Sequence, residues 1–132
     1  MLKKTIARLG SHDIVLADSI TQLDSSFAGS VVVTGSHGGL SAAEFARRFT
    51  PALVFFNDAG IGKDNAGIAG LAFLAEHGIA ACAYTHLSAR IGDAQDGWDN
   101  GVVAHVNDPA RRLGLNEGET VQAAIRRAFS GR

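Results

Sequence analysis

Ser36 and His37 sit in Thr34-Gly35-Ser36-His37-Gly38-Gly39, a serine and a histidine among glycines. These are parts for nucleophilic or acid–base work on an anion. The hydroxyl can attack, the imidazole can move a proton, and Gly35, Gly38 and Gly39 let backbone N–H groups wrap a phosphate or carboxylate. A second polar run, Asn57-Asp58-Ala59-Gly60-Ile61-Gly62-Lys63-Asp64-Asn65, offers Asp58 as a proton-handling carboxylate and Lys63 as a point charge. Asn57, Gly60, Gly62, Asp64 and Asn65 would wall the same anion. A third run, His86-Leu87-Ser88-Ala89-Arg90, adds a second histidine, the Ser88 hydroxyl, and a guanidinium at Arg90 that Asp93 can pair with and aim.

The order Ser36, Asp58, His86 is that of an α/β-hydrolase triad. Thr34 stands where the nucleophile elbow has its first glycine, so an activated water competes with Ser36 as the nucleophile. Gly62-Lys63 is not a P-loop, because Asn57 replaces its first glycine and Asp64 its metal-holding hydroxyl. No residue role is transferred from either motif. His37, flanked by glycines at a predicted helix start, is the better candidate base of the two histidines.

Asp93, Asp96 and Asp99 recur every third residue and would share one face of a helix. Neither they nor Asp58 or Asp93 with His86 has the spacing of a known metal motif, so neither metal nor cofactor is expected. His105 reads as a structural histidine within a strand, and His12 and His77 as surface residues. Trp98 reads as a lid over the pocket or an anchor at an interface. The small residues from Ala66 to Gly70 read as a helix face packed closely on a sheet.

Alternating elements must position these groups. Asp13 to Ala17, running on toward Ile20, is the first predicted strand, and Val31 to Thr34 the second. A helix capped by Ser41, with Glu44 completing a capping box, runs to about Phe49. Leu53 to Phe56 is the third strand, and the loop after it opens a helix at Gly60-Ile61-Gly62-Lys63 that ends near His77, with Gly78 as a left-handed cap. Ile79 to Thr85 and Val102 to Val106 are the last strands. A short helix opens at Asp108-Pro109 and stops at Gly114, and another runs from about Glu117 to Phe129. Strands alternating with helices predict a single three-layer α/β/α domain over residues 1–132, with a mostly parallel sheet of about five strands. Ligands of such sheets sit beyond the carboxyl ends of the strands, where all three polar runs fall.

Composition bounds the function. A formal charge of −1 argues against a nucleic-acid partner, and the pairs Arg47-Arg48, Arg111-Arg112 and Arg126-Arg127 read as solvated helix faces. The single cysteine, Cys82, excludes an internal disulfide and reads as a small buried hydrophobe. No run approaches membrane-spanning length and no secretory leader is evident, so a cytoplasmic protein without a membrane partner is expected. The reading is of a small enzyme acting on an anionic metabolite, a non-redox hydrolase ahead of an isomerase or lyase, and a homo-oligomer. Its rival is a non-catalytic metabolite-binding or assembly subunit using the same glycine-loop pocket.

Overall fold

The chain, described over residues 1–132 by a computed structural model, is an α/β domain built on one sheet of six strands. The strands are β1 (Lys3–Leu9), β2 (His12–Ala17), β3 (Val31–His37), β4 (Leu53–Asn57), β5 (Ala81–Tyr84) and β6 (Val103–Val106). Their order in the sheet is their order in the chain. β2 to β5 are parallel, and β1 and β6 close the two edges antiparallel.

The interior strands are apolar on both sides, as a doubly covered sheet requires. Along β3 to β5 alternate residues divide between two cores. Val32, Val54, Phe56, Ala81 and Ala83 face α1 (Leu40–Arg47) and α2 (Ala69–Glu76). Val31, Val33, Leu53, Phe55, Cys82 and Tyr84 face α3 (Ala94–Asn100) and α5 (Val121–Phe129). The short α4 (Asp108–Arg112) follows β6, its Asn107 side chain accepting from the Ala110 N–H at 3.1 Å. No helix is long and apolar enough to cross a membrane.

Several expectations need correction. β1 was not expected, because Lys3, Lys4 and Arg8 mask it. Charges on an exposed edge strand guard it against pairing with other chains. β2 ends at Ala17, and Ile20–Gln22 is a 3₁₀ turn under a Ser19–Gln22 capping box. α1 starts from Gly39 with no side-chain cap, so the Ser41–Glu44 box does not form. The loop after β4 does not open a helix at Lys63. It makes a 3₁₀ turn at Lys63–Asn65, and α2 begins only at Ala69. Gly78 does take the left-handed cap, at φ 71°. Trp98 is neither lid nor anchor: it is buried in the core, with Arg126 over its ring.

Candidate active site

All four parallel strands release their chain at one edge, and the polar runs gather there. The register pairs His37 with Asn57 and Asn57 with Tyr84, so the ends of β3, β4 and β5 lie side by side, about 10 Å across at ordinary strand spacing. Asp58 follows Asn57, and His86 follows Tyr84 by two residues. Their backbones are joined, since Asp58 N–H donates to the Tyr84 carbonyl at 2.8 Å.

Asp58 and His86 form the centre of the site. Asp58 is buried, only 4% exposed, and its Oδ1 accepts from the N–H groups of Gly60 and His86, each at 3.0 Å. The same oxygen lies 3.0 Å from His86 Nδ1, while the His86 side chain is 44% exposed. Burial alone would raise the Asp58 carboxyl. The Gly60 and His86 N–H groups and the imidazole outweigh it, and the carboxyl is held below its ordinary range. An ionised acceptor on Nδ1 fixes the imidazole, whose Cε1–Nε2 edge lies over Gly60. That is the arrangement of a histidine kept ready to take or give a proton.

The turn that aims Asp58 is itself constrained. Asn57 Oδ1 accepts from Ala59 N–H at 2.8 Å, and Ala59 is left-handed at φ 55°. Asn57 is fully buried, its amide donating to the Ala89 carbonyl at 3.0 Å, so it braces the site and does not face a ligand. Ser88 is likewise occupied. Its hydroxyl donates to the Thr85 carbonyl and accepts from Val102 N–H.

The glycine loop after β3 is used differently from its reading as an anion cradle. A Cβ on Gly35 would strike the backbone of Gly92 and Asp93, and one on Gly38 would come within 2.8 Å of the Gly67 carbonyl. A Cβ on Gly39 would meet the His37 ring at 2.7 Å. Gly38 also donates to the Asn57 carbonyl and accepts from Gly70 N–H. These glycines make room for packed backbone and for the His37 ring. What stays open is the first turn of α1, where the N–H groups of Leu40, Ser41 and Ala42 have neither cap nor backbone partner.

Ser36 and His37 border a cleft of about 410 Å³ between the turn after β2 and the start of α1, with Ser19, Thr21 and Ser41 on its walls. Ser36 Oγ accepts from Ile20 N–H at 2.9 Å and is hydrogen-bonded to no histidine. It therefore lacks the base that a serine nucleophile needs. Lys63, Asp64 and Asn65 are exposed, with Asp64 and Asn65 left-handed, and Gly60 and Gly62 supply further positive φ in the same loop. Lys63 makes no ion pair. Arg90 points to solvent, 82% exposed, with Asp93 at 3.8 Å.

Asp93 caps α3 through Asp96 N–H, and Asp96 in turn accepts from Arg90 N–H. This acidic run is a helix cap and a loop brace, and no group of three or more metal-ligating side chains assembles in the chain. One residue with a part at this edge escaped the sequence reading. Asp18 takes Leu2 N–H on one oxygen and Ala94 N–H on the other, tying the starts of β1 and α3 to the end of β2. An aspartate directly after a strand was the available signal. No family model, curated protein or solved structure matches the chain, so the chemistry of the site is read from its own geometry.

Proposed function

We propose that the chain is a non-redox enzyme acting on a small anionic metabolite, with His86 as general base or acid and Asp58 as its orienting carboxylate. The observation that carries this is the buried Asp58 carboxylate on Nδ1 of a half-exposed His86 at the carboxyl edge of the sheet. A structural histidine has no need of an ionised partner fixing one nitrogen of a ring that is half-exposed. Hydrolysis by a water activated at Nε2 is the favoured reaction, because Ser36 is hydrogen-bonded to no base. The anionic part of the substrate would meet the uncapped turn of α1 beside His37, with Lys63 supplying charge from the next loop.

The carboxyl edge also carries Leu40, Leu87 and Ile91, 49%, 87% and 56% exposed. These apolar side chains support the expected homo-oligomer, with a second copy meeting this edge and closing the site. The rival, a non-catalytic metabolite-binding subunit, draws support from the absence of a base on Ser36.

The test is turnover of a panel of activated phosphate and carboxylate esters by wild type, His86→Ala and Asp58→Asn. Loss of about 10²-fold or more in kcat with His86→Ala, KM little changed, is the expected result. Ligand-dependent thermal stabilisation without turnover, equal in wild type and His86→Ala, would favour the binding subunit.

A further inference from the structure

We infer that the opposite, amino edge of the sheet carries a second anion site, in which Arg47, Arg48 and His77 hold a phosphate group of a small ligand. The chain's arginines separate into two groups. Arg8, Arg90, Arg111 and Arg127 each pair with a carboxylate. Arg126 lies over Trp98, and Arg132 donates to the carbonyls of Ala128 and Leu113. Arg47, Arg48 and Arg112 likewise have no carboxylate partner; Arg47 and Arg48 line one cleft and Arg112 another, both at the amino edge of the sheet.

The first cleft, about 440 Å³, is walled by Arg47 and Arg48 from the end of α1, Thr50, and His77 and Ile79 beyond α2. Both helices end there because the strands they lead into, β4 and β5, start at that edge. No acidic residue lines the cleft. Arg48 is held by its guanidinium lying 5.3 Å from the Phe45 ring centroid, and Thr50 adds a hydroxyl. A separate cleft of about 400 Å³ at the same end of the molecule is lined by Pro51, Gly78 and Arg112.

A helix macrodipole accounts for a cation in a last turn. It does not require Arg47 and Arg48 to line a concavity that the His77 ring also lines and no acid enters. Like charges brought together repel, and an anion of two or more charges relieves that repulsion while using the planar donors of the guanidinium groups.

The experiment is titration of ¹⁵N-labelled protein with pyrophosphate and with tripolyphosphate, against sodium chloride at matched ionic strength. Amide shifts should concentrate on 47–50 and 77–79, and the double variant Arg47→Gln, Arg48→Gln should bind at least tenfold more weakly. These side chains are exposed, so the variant keeps its fold. Lys63→Ala and His86→Ala should bind as wild type does, separating this site from the one at the carboxyl edge. Arg112→Gln, in the separate cleft, should also bind as wild type does. Shifts centred on Lys63 or His86, equal affinity in the double variant, or sodium chloride reproducing the shifts would overturn the inference.

Discussion

One carboxylate oxygen, Asp58 Oδ1, takes both the backbone N–H of His86 and its Nδ1, each at 3.0 Å. A single atom thus sets both the position of the residue and the orientation of its ring. The expected consequence is an imidazole protonated on Nδ1 when neutral. Long-range ¹H–¹⁵N correlation of the His86 ring reads this directly, and an Nε2–H tautomer would remove the base from the proposed mechanism.

The same carboxylate gives a pH dependence of stability with a defined sign. Its folded value is depressed, so the unfolded chain binds the proton more readily and the stabilisation is fully present above about pH 4, the ordinary carboxyl range. It is lost as pH falls from there through the folded value. Asp58→Asn should cost about 2 kcal/mol at pH 7, the worth of hydrogen bonds to a charged acceptor. Urea melts of both proteins from pH 7 to 3 should show the gap closing in acid. A gap independent of pH would mean that the carboxylate charge contributes nothing.

Ala59 should be replaceable with profit. A left-handed alanine costs about 1–2 kcal/mol, and the added freedom of glycine in the unfolded chain returns about half of that. Ala59→Gly is therefore expected to raise stability by about 0.5–1 kcal/mol, measured by chemical denaturation, with the His86 tautomer unchanged.

Gly70 allows no such exchange. A Cβ there would stand 2.5 Å from the Gly39 carbonyl and 2.6 Å from Ala43 Cβ, where α2 presses on the start of α1. Gly70→Ala should cost about 3 kcal/mol and shift the amide resonances of residues 38–43. The small face of α2 thus packs on α1 and the glycine loop, not on the sheet, and what it positions is the open turn beside His37.

Asn107 is a structural residue with all its capacity in use. Its amide donates to the Leu71 and Ile79 carbonyls at 3.1 and 3.0 Å, and its Oδ1 accepts from Ala81 and Ala110 N–H. Asn107→Ala leaves several buried backbone groups without partners and should cost about 3 kcal/mol or more in thermal or urea melts.

Much of the fold was legible because its signals are local. Leu53-Val54-Phe55-Phe56 can hardly be anything but a buried strand, and Gly78 marks the end of α2 as expected. Lys3 to Leu9 carried only a broken apolar signal, Ile6, Ala7 and Leu9 among charges, since an edge strand is defined by its neighbour more than by its own pattern. The site divides the same way. Asp58 and His86 stood out as residue types after strands, but their union depends on the register of β4 with β5, which is written in neither segment. Gly35, Gly38 and Gly39 misled because a glycine that admits a ligand and one that admits another stretch of backbone look alike in sequence. Asn57 and Ser88 misled for a related reason, as a buried amide and a turn hydroxyl carry the same groups as ligand contacts.

The agreement of sheet order with chain order bears on how the molecule is assembled in time. Each strand from β1 to β5 can add to a neighbour already made, closing only the turn or crossover between them, so the sheet can grow by successive local steps. One late event breaks this pattern. α3 and α5 must fold back across the other face, where Ala94 reaches Asp18 and the Arg132 carbonyl meets Ser11. The chain's slowest step is therefore expected to be the docking of residues 94–132 on a preformed sheet. A chain cut short before α5 would leave the face that carries Ile14, Val33 and Phe55 covered only in part, by α3.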